Sequence, residues 1–100
     1  LVILTGAGAN LPIEAKRHYH PHVWTAASTQ LQRYAADIGA AGLGIYLVFW
    51  FGAERVPSRG RGRRRPRSAA EMEMLLQEDL PVTLRHSTEI VVLDVSRPRS

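Results

Sequence analysis

The segment Ile45–Phe51 reads IYLVFWF, and it decides the fold class. Aromatic and β-branched residues dominate it, and Gly44 and Gly52 bound it. A strand with one solvated face alternates apolar and polar side chains, so an unbroken apolar run predicts a strand covered on both faces. Strands of this kind are typical of sheets that carry helices.

Towards the N-terminus the pattern predicts two strands and a helix. Leu1–Thr5 and Leu11–Lys16 flank the turn sequence GAGAN, which is typical of a β-hairpin. From Pro21 to about Asp37 the apolar residues recur at helical spacing, and the glycines after Ile38 end the helix. The residues of this stripe are Val23, Ala27, Leu31, Tyr34 and Ile38.

Towards the C-terminus an arginine-rich segment, 55–67, precedes a second helix and a last strand. Ser68 and Glu71 have the spacing of a capping box, and Pro81 ends the helix at about Leu80. Its apolar side consists of Met72, Leu75, Leu76 and Leu80. Residues 89–95 (EIVVLDV) are predicted to be another buried strand. The order β-β-α-β-α-β predicts one α/β domain over residues 1–100, with a mixed central sheet flanked by helices.

Length and charge limit the class of protein. A chain of 100 residues builds one modest core, and the absence of cysteine excludes disulfides and thiolate chemistry and favours a cytoplasmic protein. The net charge of +4 and the pI of about 10.3 favour a polyanionic partner such as DNA. Because the chain opens at Leu1 inside an apolar run, we expect it to be the C-terminal part of a larger core, with an NTPase or other domains upstream.

The arginine-rich segment 55–67 has two interpretations. It holds seven arginines, which could contact phosphates in a salt-dependent, sequence-independent way. The alternative is a flexible, solvated connector between strand and helix.

A membrane-spanning helix is the alternative for the apolar stretch Ile38–Ala53. The stretch is shorter than the roughly 18–20 apolar residues that such a helix needs, and glycines interrupt it. We therefore expect no membrane association.

Glu14 and Lys16 are the candidate catalytic residues. Side chains alternate along a strand, so these two project from one face while Ala15 projects from the other. A carboxylate holds a hard cation such as Mg²⁺, and a neighbouring ammonium orients water or offsets phosphate charge. The alternative is an ordinary surface ion pair, since Glu-x-Lys is common on exposed strands.

Gln30 and Tyr34 add a second feature. They lie four residues apart and so share one side of the predicted helix. An amide and a phenol there could hold a metal cluster, the lysine or a phosphate. On spacing alone, a tyrosine that caps the core beside a surface glutamine explains them equally well.

The run LPIEAK, the helix with QLQRY and the strand GIYLVFWF together resemble the PD-(D/E)xK nuclease superfamily with its restriction-endonuclease-like fold. More narrowly, they are similar to the RecB-type branch, in which an ExK strand precedes a Gln-x-x-x-Tyr helix. The resemblance covers about half of the chain. It implies a nuclease with Mg²⁺ or Mn²⁺ as cofactor, Glu14 and the Ala15 carbonyl as metal ligands, Lys16 as catalytic lysine, and Gln30 and Tyr34 as the accessory pair.

One departure from that pattern matters. The aspartate expected on the strand before the turn is absent from these residues, so we expect it upstream of Leu1 and expect this chain alone to be inactive. The alternative is a non-catalytic nucleic-acid-binding or interaction domain on the same scaffold.

The remaining polar candidates cluster after the ExK strand and in the arginine segment. Arg17, His18 and His20 follow the strand and are predicted to contact phosphates. The same role is predicted for Arg61, Arg63, Arg64 and Arg65.

Two alternatives concern the histidines and the aromatic residues. The alternation of His18, His20 and His22 leaves open a zinc site. Four aromatic residues are expected in or near the core, so no base-stacking surface is predicted; they are Trp24, Phe49, Trp50 and Phe51.

Overall fold

The computed structural model describes residues 2–6, 9–31 and 43–96, and it contains a four-stranded mixed sheet. The strands lie in the order β1-β2-β3-β4; β1 and β2 are antiparallel, and β3 and β4 run parallel to β2. The mixed α/β class predicted from the sequence is confirmed. The strands are β1 (Val2–Gly6), β2 (Ala9–Arg17), β3 (Gly44–Trp50) and β4 (Thr88–Asp94).

Three short helical elements accompany the sheet. A π-helical segment, Ala27–Leu31, lies between β2 and β3 and contacts both strands. The helix α1 (Ala69–Asp79) lies between β3 and β4, and a 3₁₀ turn at Val82–Leu84 leads into β4.

The core lies on one face of the sheet. Connections between parallel neighbouring strands are almost always right-handed, which places both helical connections on the same side. The even-numbered residues of β3 point to this side and are buried, whereas Ile45, Leu47 and Phe49 on the other face are only half-buried. The prediction that β3 is covered on both faces is therefore corrected for the part of the chain described: one face is buried and the other is half-buried. The core side chains include Val23, Ala27, Tyr46, Val48, Trp50, Met72, Leu76, Leu80 and Ile90.

The second predicted helix forms as expected. The Ser68 hydroxyl accepts a hydrogen bond from the Glu71 amide at 3.1 Å, and the helix ends at Asp79, just before Leu80 and Pro81. The predicted apolar side is buried, with Met72 and Leu76 at its centre. A carboxylate oxygen of Glu73 accepts from the Val92 amide at 3.1 Å, which satisfies a backbone donor on β4, at the edge of the sheet.

The first predicted helix begins later than expected. Residues 21–25 form turns, and among the described residues of this prediction helical structure is found at Ala26 and in the π-helical segment. The hydroxyls of Ser28 and Thr29 both donate to the Thr25 carbonyl at 3.0 Å, a local bonding pattern that competes with a regular helix. The rest of the prediction, residues 32–37, lies outside the described residues.

None of the helices in the described ranges is long and apolar enough to cross a membrane. The centre of the stretch considered for such a helix is the strand β3 instead.

Candidate active site

Glu14 and Lys16 lie side by side on the helix-covered face of β2. The Lys16 Nζ is 3.2 Å from a carboxylate oxygen of Glu14. The Glu14 side chain is 4% exposed and that of Lys16 is 23% exposed, so the carboxylate lies below the surface and the ammonium reaches solvent. Lys16 is the only lysine in the chain. The pair is thus buried more deeply than an ordinary surface ion pair.

Tyr46 forms the floor of this site. It is the cross-strand neighbour of Glu14 in the parallel β2–β3 pair, and its hydroxyl donates to the Val23 carbonyl at 2.6 Å. Burial, together with the nearby Glu14 charge, raises the pKa of Tyr46, so the phenol stays protonated beside the carboxylate. No role was predicted for Tyr46, because the β2–β3 register that brings it to Glu14 cannot be derived from local sequence patterns.

His20 lies close enough to the pair to be affected by its charges. The pKa of His20 lies below its usual 6.5, and burial is the largest cause. The positive charges of Lys16 and His22 lower the pKa further, whereas the negative charge of Glu14 raises it. The His20 Nδ1 accepts from the His22 amide at 3.0 Å. His20 is therefore a neutral imidazole beside the lysine near neutral pH.

The other predicted members of the site are only partly described. Gln30 belongs to the π-helical segment that contacts β2 and β3, and its side chain is not described. Tyr34 lies outside the described residues. Ala15 separates Glu14 from Lys16 along β2, with its own side chain on the opposite face and exposed.

His18 has a structural position rather than a surface one. Its ring is 2% exposed; Nδ1 accepts from the Phe51 amide at 3.1 Å and Nε2 donates to the Glu54 carbonyl at 2.7 Å. Both ring nitrogens are thereby used, which leaves neither for a phosphate or a zinc ion. The predicted phosphate contact of His18 is therefore replaced by a role in holding the start of the segment after β3.

The arginine-rich segment is anchored at defined points. The Trp24 indole donates to the Pro57 carbonyl at 2.8 Å, and the Arg59 guanidinium lies 5.1 Å from the Trp24 ring centroid. Arg59 also binds the Asp79 carboxylate through two hydrogen bonds of 3.2 and 2.9 Å, and its side chain is 4% exposed. The segment that was predicted to be flexible thus has specific partners at Pro57 and Arg59.

Six of the seven arginines of this segment divide into two groups, and the seventh, Arg55, lies over the Tyr19 ring. Arg63 also pairs with Asp79, and Arg64 pairs with Glu71 at 2.8 Å. Arg61, Arg65 and Arg67 are exposed, and within the described ranges they have no ion pair. Of the predicted phosphate contacts, Arg61 and Arg65 therefore keep their charge available, whereas Arg63 and Arg64 share theirs with α1.

A cleft of about 670 Å³ lies beside this segment. It is lined by Ala53, Arg64, Arg65, Pro66 and Arg67. A basic cleft of this kind fits an anion, and it brings in Arg67, which the sequence analysis did not select.

Phe51 departs from the prediction that it belongs to the core. It follows β3 directly, and 49% of its surface is exposed, whereas Trp50 beside it is buried. The alternation of side chains at the end of the strand places Phe51 on the less covered side.

Among the described residues, no group of three or more histidine, aspartate or glutamate side chains is placed to hold a metal ion. Comparisons with family models, curated proteins and solved structures give no match to this chain.

Proposed function

We propose that this chain carries part of a metal-dependent nuclease site of the PD-(D/E)xK type, with DNA as substrate. The observation that supports the proposal is the Glu14–Lys16 pair, with the carboxylate buried against the sheet and the ammonium open to solvent. In this role Lys16 would orient the attacking water and offset charge on the scissile phosphate. The neutral His20 beside it would donate a hydrogen bond to a phosphate oxygen.

The cofactor in this proposal is Mg²⁺ or Mn²⁺, which would stabilise charge on the phosphate and activate water. Glu14 supplies one carboxylate and the Ala15 carbonyl a further oxygen, both of the hard-ligand type that these ions prefer. The described residues do not supply the second carboxylate. In the antiparallel β1–β2 pairing, further residues on the N-terminal side of Val2 would come to lie beside Glu14 and Lys16.

The test is a plasmid-nicking assay on the chain, expressed with any residues that precede Leu1 in its gene. Mg²⁺-dependent nicking should fall about a hundredfold or more in Lys16→Ala and in Glu14→Gln. Glu89→Gln is the matched control for Glu14→Gln, because Glu89 is an exposed carboxylate on β4, outside the candidate site. Nicking that survives Lys16→Ala at the parental rate would overturn the proposal.

The second candidate is a non-catalytic nucleic-acid-binding domain. It is favoured by the cleft lined by Arg64, Arg65 and Arg67 and by the absence of a metal-ligand group in the described residues. DNA binding without nicking, under the same conditions and with Mg²⁺ or Mn²⁺ present, would establish this alternative.

A further inference from the structure

Two aromatic side chains meet where the parallel strands β2 and β3 end. Tyr19 follows β2 and Phe51 follows β3, and their ring centroids are 6.0 Å apart. Phe51 is 49% exposed, whereas phenylalanine side chains are usually buried. The carboxyl ends of parallel strands are where open α/β sheets usually bind ligands.

Positive charge surrounds this aromatic pair. The Arg55 guanidinium lies 4.4 Å from the Tyr19 ring centroid, and that of Arg17 lies 5.9 Å from it. Both guanidinium groups lie over the Tyr19 ring, so the exposed Phe51 ring supplies the aromatic face on which a base can stack. The neighbouring cations can pair with the phosphates of the same single strand. A purely apolar partner would leave both charges without a counterpart.

The backbone that carries these groups is held in place by His18. Its ring binds the Phe51 amide and the Glu54 carbonyl, one on each side of the turn. Gly52 has φ +136° and Arg55 has φ +63°, and the latter conformation is uncommon for a residue with a side chain. The aromatic pair and Arg55 are thus arranged before any ligand arrives, which reduces the entropy lost on binding.

The basic cleft continues from the same turn. Ala53 lines the cleft and is two residues from Phe51, so their Cα atoms are within about 7 Å of each other. Arg65 and Arg67 line the same cleft as Ala53, and both are exposed. A chain of phosphates that starts at Arg55 can therefore proceed into the cleft.

We propose that Tyr19, Phe51 and Arg55 form a stacking platform in which an unpaired base lies against the exposed Phe51 ring, with the adjoining phosphates of a single strand in the cleft of Arg65 and Arg67. The inference rests on the proposed function to the extent that both make nucleic acid the ligand. Bases inside a duplex are stacked on one another and offer no free face, so the platform selects single strands over duplexes.

The experiment measures binding in EDTA, so that no cleavage contributes. The probes are a short oligothymidylate labelled with fluorescein, the same sequence as a duplex, and a single strand that contains 2-aminopurine. Phe51→Leu keeps an apolar side chain but removes the aromatic face. Val82→Ala is the matched control, since Val82 is 70% exposed and lies just before the amino end of β4.

The single strand should bind more tightly than the duplex, and Phe51→Leu should weaken single-strand binding about tenfold. Quenching of 2-aminopurine by stacking should disappear in the same variant, whereas Val82→Ala should leave both readouts unchanged. Single-strand affinity unchanged in Phe51→Leu, or a duplex bound as tightly as the single strand, would overturn the platform.

The measurements distinguish failure of the nuclease proposal from failure of the platform proposal. Loss of single-strand affinity in Phe51→Leu supports the platform even if the extended protein nicks no plasmid. Nicking that depends on Lys16, with single-strand affinity unaffected by Phe51→Leu, overturns the platform alone.

Discussion

At the residue scale, His18 shows how a side chain that looks catalytic becomes structural. A histidine next to a candidate site and among other histidines favours a ligand or phosphate contact from sequence. The structure places its ring against Trp50, with a centroid distance of 5.0 Å, and satisfies both nitrogens with backbone groups. The decisive information is the position of residues 51–54, which are more than thirty residues away in the chain and not predictable from local pattern.

Replacement of His18 by alanine should lower the free energy of unfolding by about 2–4 kcal/mol. The substitution leaves the Phe51 amide and the Glu54 carbonyl without their partner and opens a cavity beside Trp50. Urea unfolding followed by tryptophan fluorescence measures the change. His22→Ala, at an exposed position, is the control, and equal stability of the two variants would contradict the assigned role.

Asp79 makes stability depend on pH. Burial alone would raise the pKa of Asp79, but hydrogen bonds and charge from Arg59 and Arg63 outweigh it and hold the pKa below its usual 3.8. A carboxyl with a lowered folded-state pKa contributes stability above its unfolded-state value and loses it as the pH falls further.

The free energy of unfolding should therefore decrease as the pH falls below 3.8, and this decrease should be shallower in Asp79→Asn. At neutral pH the variant should be less stable by about 3 kcal/mol, because the buried Arg59 guanidinium keeps only the longer, 4.0 Å contact with the exposed Glu78 carboxylate. Chemical denaturation across the acid range measures both effects. An identical pH profile in parent and variant would show that the pair contributes nothing.

At the element scale, local sequence signals predicted the helix α1 and the strands. The features that they did not predict depend on long-range contacts. The capping box and the stripe of Met72, Leu75 and Leu76 act within one helix, so sequence alone located it. By contrast, which face of β3 is covered depends on the side to which the crossover connections turn. The apolar run predicted two covered faces, because it carries no signal for the side on which the connections lie.

The candidate site divides in the same way. The placement of Glu14 and Lys16 on one face follows from strand alternation and was predictable. The cross-strand position of Tyr46 and the pairing of Arg59 with Asp79 depend on register and tertiary packing. Neither has a local signature in the sequence.

The arginine-rich segment should lose its anchorage when Arg59 is replaced. Arg59→Gln removes the paired hydrogen bonds to Asp79 and the contact with Trp24. We expect faster trypsin cleavage after the neighbouring arginines, because the segment opens more often. Arg61→Gln, at an exposed position, should not change the cleavage rate at the other arginines, and equal acceleration in both variants would contradict the anchoring role.

At the scale of the whole molecule, the net charge of +4 does not say which charged side chains are available to a ligand. The acids Glu71 and Asp79 of α1 neutralise part of the arginine-rich segment, while Arg61, Arg65 and Arg67 stay exposed. Composition gives the net charge alone, and the structure shows which of these arginines are paired with carboxylates and which are not.

The salt dependence of DNA binding should distinguish the exposed arginines from those that are paired with α1. Binding in EDTA should weaken as salt rises, and Arg65→Gln and Arg67→Gln should each reduce the slope of log affinity against log salt by about one. Arg63→Gln should reduce it less, since its charge is already shared with Asp79. Equal slope changes for all three variants, measured by fluorescence anisotropy, would contradict this assignment of charges.

The central claim is that Glu14 and Lys16 act together on a phosphodiester. Single-turnover cleavage in Mg²⁺ by the protein with any residues that precede Leu1 in its gene, compared among Glu14→Gln, Lys16→Ala and the double variant, tests it most directly. Residues that act as one unit are non-additive, so the double variant should be no slower than the slower single variant. A single variant that cleaves at the parental rate, or losses that multiply in the double variant, would contradict the claim.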